Sequence, residues 1–238
     1  MFQPGIPYHE TGPFQSHRTF LPDDQYGVAL DNLVKGCTDI LLLSPDTTRL
    51  FLGKRCVQPQ PDWWFLGGRI FPGETPVESC RRLLVRELGL DIASVERFRP
   101  VCCQAFAFAM REQEPKHHGT ADVQFCFRVR LEDEEEMRKA VLDEKEYCDG
   151  KWVEPSEVLE GNYHPALRYA VACMLATEAY DRLEECEAKG GGDNDEEIVR
   201  LTREFIKKSR EAKQVLERTD YKLDSKELDY ATTVNTKF

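Results

Sequence analysis

The sequence predicts an α/β fold, a mixed sheet between helices with a helical extension at the C-terminus. Three observations predict it. Short apolar runs, "TDILLLS", "RLFLGKR", "WFLGGRI" and later "DVQFCFRVRL", are separated by Pro, Gly and Asp turn signals, as strands are. A helix with clear start and stop signals stands between the third run and the fourth. A longer amphipathic stretch, "HPALRYAVACMLATEAYDRLEE", follows the last strand.

In chain order, the first 25 residues carry Pro4, Pro7, Pro13 and Pro22 with little periodicity and read as an irregular extension. "TDILLLS" and "RLFLGKR" form strands around the turn "PDTT", and "VQPQPDWW" connects them to a short strand ending in glycines. In the helix that follows, Thr75 suits the N-cap, Pro76 the first turn, and Glu78 the third position of a capping box. Val77, Arg81, Leu84 and Leu88 are expected on its inner face, and Gly89 at its C-cap. "SVERFRPVCCQAFAFAM" and "DVQFCFRVRL" read as antiparallel strands around "REQEPKHHGTA", and "GKWVEPSEVL" begins as a last short strand. "AKGGGDNDEE" is a linker to a charged helix whose apolar stripe, Ile198, Leu201, Phe205 and Leu216, is thin enough for a solvated or partner-seeking helix. The expected organisation is therefore an extension over 1–25, a domain over 26–186, and a linker, charged helix and tail over 187–238.

Composition narrows the function. Of 238 residues, 41% are hydrophobic, enough for a core, and the net charge of -11 argues against nonspecific binding to a nucleic acid backbone. An anionic ligand would need a local basic pocket. No apolar leader and no membrane-length apolar stretch is present, so neither a signal peptide nor a membrane span is expected. Nine scattered cysteines without a C-x-x-C pair read as buried free thiols in a reducing, cytoplasmic compartment.

The chemistry concentrates in "GGRIFPGETPVESCRRLLVRELGL", Gly67 to Leu90. A Gly-rich turn lets backbone N–H groups approach an anion, and carboxylates at helical spacing can hold a hard cation such as Mg²⁺. Gly68, Glu74, Arg82, Glu87 and Gly89 keep the register G-x5-E-x7-R-E-U-x-E-E-x-G-U, in which U is apolar. On these residues the chain resembles the Nudix hydrolase superfamily, over roughly Thr38 to Val153. That resemblance implies a Nudix-type α/β/α sandwich. Two family carboxylates are replaced, by Leu83 and Arg86, which argues against a multi-metal cluster.

The stretch "TDILLLSPDTTRLFLGKRCVQPQPDWWFLGGRI", and the leucine after the box arginine, are most similar to the GDP-mannose mannosyl hydrolase subgroup. That similarity implies a single Mg²⁺, held by Glu87 and the Gly68 carbonyl, with Glu74 the other candidate ligand. It implies that Arg55, Arg69 and Arg82 bind a diphosphate, with Asp39 positioning the sugar or an arginine, and that water attacks the anomeric carbon. A carboxylate buried at Asp39 calls for a partner arginine, Arg55 or Arg69. The subgroup's histidine base has no counterpart in "DEKEYCDGKW". Glu146 or Tyr147 falls at its place, Glu146 being the stronger candidate base, and His117 and His118 on the strand–strand loop are alternatives. Trp63 and Trp64 offer a stacking face for a base, or core.

The expected function is hydrolysis of a nucleoside diphosphate sugar or a related compound. The alternative is a catalytically silent Nudix domain that binds a nucleotide or a protein. The expected ligand is a small nucleoside diphosphate derivative, without nucleic acid or membrane. A homodimer and a protein partner for the C-terminal helix stay open.

Overall fold

A computed structural model describes residues 5–189, 195–216 and Tyr230. The core of the expected Gly linker, 190–194, and most of the tail lie outside the described residues. The elements are α1 (Asp23–Asn32), β1 (Lys35–Leu43), β2 (Leu50–Arg55), β3 (Trp63–Trp64), β4 (Leu66–Arg69), α2 (Pro76–Leu88), β5 (Phe98–Phe108), β6 (Thr120–Arg130), α3 (Glu134–Lys139), β7 (Tyr147–Val153), α4 (Pro155–Glu160), α5 (Pro165–Ala188) and α6 (Asp195–Leu216). The chain divides into two compact units, meeting in sequence at Glu154 and Pro155.

The first unit is a mixed sheet. Its strands run β3-β2-β1-β6-β5, with β4 paired to β1 and β7 to β2. β1 and β6 are parallel, from Lys35 opposite Asp122 to Leu43 opposite Arg130, and every other pair is antiparallel. On its other edge β1 is shared. Its first half pairs with β4 and its end with β2, so Asp39 lies opposite Gly67. The apolar run Ile40–Leu43 is fully buried, as a central strand beside a parallel partner should be.

Helix α2 closes one face of this sheet. Its capping box is complete: the Thr75 hydroxyl accepts from the Glu78 N–H, and the Glu78 carboxylate accepts from the Thr75 N–H. Gly89 ends it at φ 68°, a left-handed conformation that suits glycine. The inner face differs from expectation. Cys80, Leu83, Leu84, Glu87 and Leu88 are buried, whereas Arg81 leans outward to Asp91 at 3.2 Å. The buried stripe follows i, i+3, i+4, i+7, i+8 from Cys80, and Val77 packs only at its margin. Leu83, which replaces a family carboxylate, is core among Ile40, Leu66 and Phe127.

Two helices of this unit lie where no helix was expected. α1 carries little amphipathic pattern and α3 lies in an acidic run, so neither announces itself by periodicity. α3 is started by Asp133, whose carboxylate accepts from Glu135 and Glu136 N–H groups.

The second unit is helical. Pro165 opens α5 with His164 as its N-cap, whose Nδ1 accepts from the Ala166 N–H at 3.1 Å. Burial drives that imidazole's pKa down to about 3, so it caps the helix as the neutral Nε2–H tautomer. α6 lies along α5 rather than solvated all round. Phe205 meets Tyr180 edge-on at 5.5 Å, Leu201 is buried, and Glu204 pairs with Arg182.

Candidate functional site

The switch of β1 from one neighbour to the other brings the charged residues of the motif to one place. Asp39 stands on β1 against Gly67, where a β-carbon would come 2.3 Å from Asp39 Oδ1, so only glycine fits. Arg55 ends β2, Arg69 ends β4, Arg86 and Glu87 lie in the last turn of α2, and Glu146 precedes β7. Asp39, Arg55, Gly67, Gly68, Arg69, Arg86 and Glu146 all line one cavity of about 410 Å³. A side of it is aromatic: Trp64 and Phe108 reach the cavity, and Phe106 bridges them, edge-on to Trp64 and stacked on Phe108.

Asp39 is buried and its Oδ2 has no hydrogen-bond partner. Burial pushes its carboxyl up to about 8, with Arg55 pulling down and Asp122 pushing up. The arginine partner expected for it does not close an ion pair among the described residues; Arg55 acts on it from a distance. Asp39 is therefore largely a neutral acid at pH 7, able to donate as well as accept.

Glu146 lies between two guanidiniums, its Oε1 3.7 Å from Arg86 Nη2 and its Oε2 3.7 Å from Arg55 Nη2. Arg69 lies over the Tyr26 ring, 4.9 Å from its centroid. Arg82 and Glu74 are engaged elsewhere. Arg82 holds Glu74 bidentately, at 2.5 and 2.9 Å, and donates to the Arg69 carbonyl at 2.9 Å. Glu74 also accepts from the Phe71 N–H, and Arg82 covers the Phe71 ring. This pair braces the Gly-rich loop, and neither member lines the cavity.

The surroundings of Glu87 decide whether a divalent ion fits. Glu87 is fully buried; its Oε1 takes Arg86 Nε at 2.7 Å and a closer contact from Arg86 Nη2, while Oε2 has no partner. Burial raises its carboxyl against the pull of Arg86. The same Nη2 reaches toward the Gly67 carbonyl at 3.4 Å. Gly68 makes room: a β-carbon there would meet Arg86 Nη2 at 3.2 Å and Leu83 at 3.1 Å. A guanidinium thus occupies the ground between the Glu87 carboxylate and the Gly67 carbonyl. No three His, Cys, Asp or Glu side chains gather to hold a metal among the described residues. As arranged, one free carboxylate oxygen beside a fixed cation does not fit a divalent ion, and Glu74 is tied to Arg82.

Tyr147, the other candidate at the base position, is core, and burial, then the charge of Glu87, holds its phenol protonated. His117 and His118 sit on the β5–β6 loop, where His118 Nδ1 lies 3.2 Å from both oxygens of Asp31; neither lines the cavity. Trp64 is core, and Trp63 carries Lys151 and Lys54 over its ring.

Several cavity groups escaped the sequence reading, three of them on β6. Thr120, Asp122 and Gln124 alternate along β6, all buried and all lining the cavity. Lys35 pairs with Asp122 at 3.0 Å, while Gln124 Oε1 has no partner. The signal was available as polar residues at a period of two inside an apolar strand. Arg111 also went unremarked. It is nearly fully buried, bonds Asp31 at 2.6 Å and the carbonyls of Gln113 and Gly119, and so ties α1 to the β5–β6 loop.

Residues 36–172 match a family model described as NUDIX domain. No curated protein matches the chain. Among solved structures, the chain is similar to the E. coli dihydroneopterin triphosphate pyrophosphohydrolase, at 20% identity and TM-score 0.43, over 59% of this chain and 95% of that one. A MutT NUDIX hydrolase from Burkholderia pseudomallei is 18% identical with TM-score 0.45, over 59% and 97%. A C. elegans Ap4A hydrolase is 15% identical with TM-score 0.43, over 61% and 98%.

Proposed function

Because the chain belongs to the Nudix family of hydrolases, we propose that it hydrolyses a nucleoside diphosphate sugar, GDP-mannose-like, or a related nucleoside diphosphate compound. The observation that carries this reading is the convergence of Arg55, Arg69 and Arg86 on one cavity in a chain of net charge -11. Fixed guanidiniums bind a diphosphate bidentately and stabilise the charge that develops as it leaves. On the aromatic side the part-exposed Phe108 gives a base a face to stack on.

Family members generally use divalent ions, which supply charge neutralisation when bound. The single Mg²⁺ expected at Glu87 would need Arg86 to move aside, and in the present arrangement Arg86 supplies that positive charge itself. Glu146 is the group we assign as base. Phosphate oxygens arriving at Arg55 and Arg86 would take its place between them, leaving the carboxylate to accept a proton from water. Asp39, kept as the acid, would donate to a sugar hydroxyl or bridging oxygen. Water attack on the sugar carbon then expels an intact nucleoside diphosphate. A reducing, cytoplasmic setting suits nine cysteines that are all free thiols; no described helix is long and apolar enough to cross a membrane.

The test is ³¹P NMR of a panel of nucleoside diphosphate sugars in ¹⁸O-water, with Mg²⁺ and separately with EDTA. Release of an unlabelled nucleoside diphosphate supports carbon attack, and label in phosphate moves the mechanism to phosphorus. A second reading, a silent domain that binds such a ligand, is favoured by the closed Arg86–Glu87 contact. Pyrophosphate binding without turnover of any panel member would establish it in place of the first.

A further inference from the structure

Cys56 and Cys148 are both exposed, and the ladder between β2 and β7 brings them together. Lys54 pairs with Asp149 and Arg55 with Tyr147, so Cys148 is the extra residue of a bulge. Bulges re-aim the side chain they insert. Here the Cys148 sulfur turns to the Lys54 carbonyl at 3.5 Å. Cys56 follows Lys54 by two positions, the repeat that returns a side chain to the same face of a strand. Its sulfur lies 3.9 Å from the same carbonyl oxygen. Its own N–H donates to the Glu146 carbonyl at 3.0 Å, which carries the pairing one step past the bulge. Both thiols thus point at one carbonyl oxygen, and the neighbouring Cys148 thiol is the largest cause of a raised Cys56 pKa. The pair flanks the cavity: Cys56 stands between the lining residues Arg55 and Val57, and Cys148 lies two positions from Glu146.

We propose that Cys56 and Cys148 are a dithiol modification site at the edge of the cavity, closed to a disulfide by exchange with a small disulfide such as oxidised glutathione. One thiolate attacks a glutathione sulfur, forming a mixed disulfide and releasing one glutathione thiolate. The second cysteine, deprotonated, attacks the protein sulfur of that mixed disulfide and releases the other glutathione. Two protein thiols lose two electrons and two protons, and one glutathione disulfide becomes two glutathiones. The second step is intramolecular between thiols held at one carbonyl oxygen, so the mixed disulfide is short-lived. Because the Cys56 thiol is raised, the reaction quickens as pH rises above neutrality. The closed bond ties the end of β2 to the start of β7 beside the Arg55–Glu146 contact. Cys103 is the internal reference, being exposed like the pair but on β5.

The experiment equilibrates the full chain with oxidised and reduced glutathione, blocks remaining thiols by alkylation, and maps the peptides by mass. The expected result is a Cys56–Cys148 crosslink lacking two hydrogens, exceeding glutathione adducts at either residue by at least about tenfold, while Cys103 gives an adduct or stays alkylated. In Cys56→Ser, Cys148 should carry glutathione instead. Wild-type molecules bearing separate adducts on Cys56 and Cys148, or a crosslink from either to Cys103, would overturn the proposal. A second readout needs no oxidation: one equivalent of phenylarsine oxide, which bridges two adjacent thiols, should protect both cysteines from alkylation. Protection of neither would also count against the site.

Discussion

Arg86 carries the sharpest departure of this chain from its family, and its effect is local. It neutralises Glu87, a carboxylate with no exposed surface, and presents the rest of its guanidinium to the cavity. Arg86→Ala is expected to lower stability by about 1–3 kcal/mol, because it strands a buried charge. Adding Glu87→Gln should restore most of the loss; urea denaturation measures both, and no restoration would refute the pairing. The single Arg86→Ala variant should also gain Mn²⁺ binding, read by electron paramagnetic resonance, if the guanidinium keeps a metal out. Asp39 makes a prediction about pH. Its folded carboxyl sits near 8 against an ordinary 3.8, so the folded chain holds an extra proton between those limits. The stability linked to it is complete below about 3.8 and is lost as pH rises toward 8, by up to about 1.4 kcal/mol per pH unit. Asp39→Asn should flatten that slope, and unchanged urea midpoints across the range would contradict it. At this scale the sequence was legible where spacing carried the meaning, as at Gly68, Glu74, Arg82 and Glu87. It could not say that Arg82 would close on Glu74 or that Arg86 would close on Glu87, because which arginine meets which acid depends on rotamers.

Helix α2 shows what an element can declare in sequence. Thr75, Pro76, Glu78 and Gly89 mark its ends, and each behaves as its chemistry requires. Thr75→Ala should cost about 1 kcal/mol, measurable by thermal or urea unfolding of the full chain. Its inner face was harder to read, since Arg81 and Leu83 compete by sequence alone, and only the sheet beneath selects Leu83. Helices α1 and α3 left no such marks. α1 is tied through Asp31 and Arg111, a contact across 80 positions that no local window contains. The start of α5 supplies a second pH prediction of opposite sign. His164 is pushed down to about 3, so the stability linked to its neutral form is complete above about 6.5 and is lost as pH falls toward 3. His164→Asn keeps a cap without a titrating ring. It should remove acid-induced loss of helix signal between those pH values, and an unchanged circular dichroism profile would refute it.

Over the whole molecule, the strand and helix signals sufficed for a mixed α/β sheet. The order of strands was not written locally, because β1 finds its parallel neighbour in β6 through long-range pairing. The buried polar face of β6 stayed unread for the same reason: its meaning depends on the strand beside it. That pairing has a consequence in time. Asp122 follows Cys37 by 85 positions, so a growing chain at about 5–20 residues per second exposes β1, with its uninterrupted apolar run, for several seconds before its neighbour emerges. Until then Asp39, Arg55, Arg69 and Arg86 remain in water, and no cavity exists to concentrate their charge. A nascent chain halted before Thr120 should therefore carry every motif glycine and arginine yet be prey to chaperones and proteases, since its central strand has no parallel neighbour.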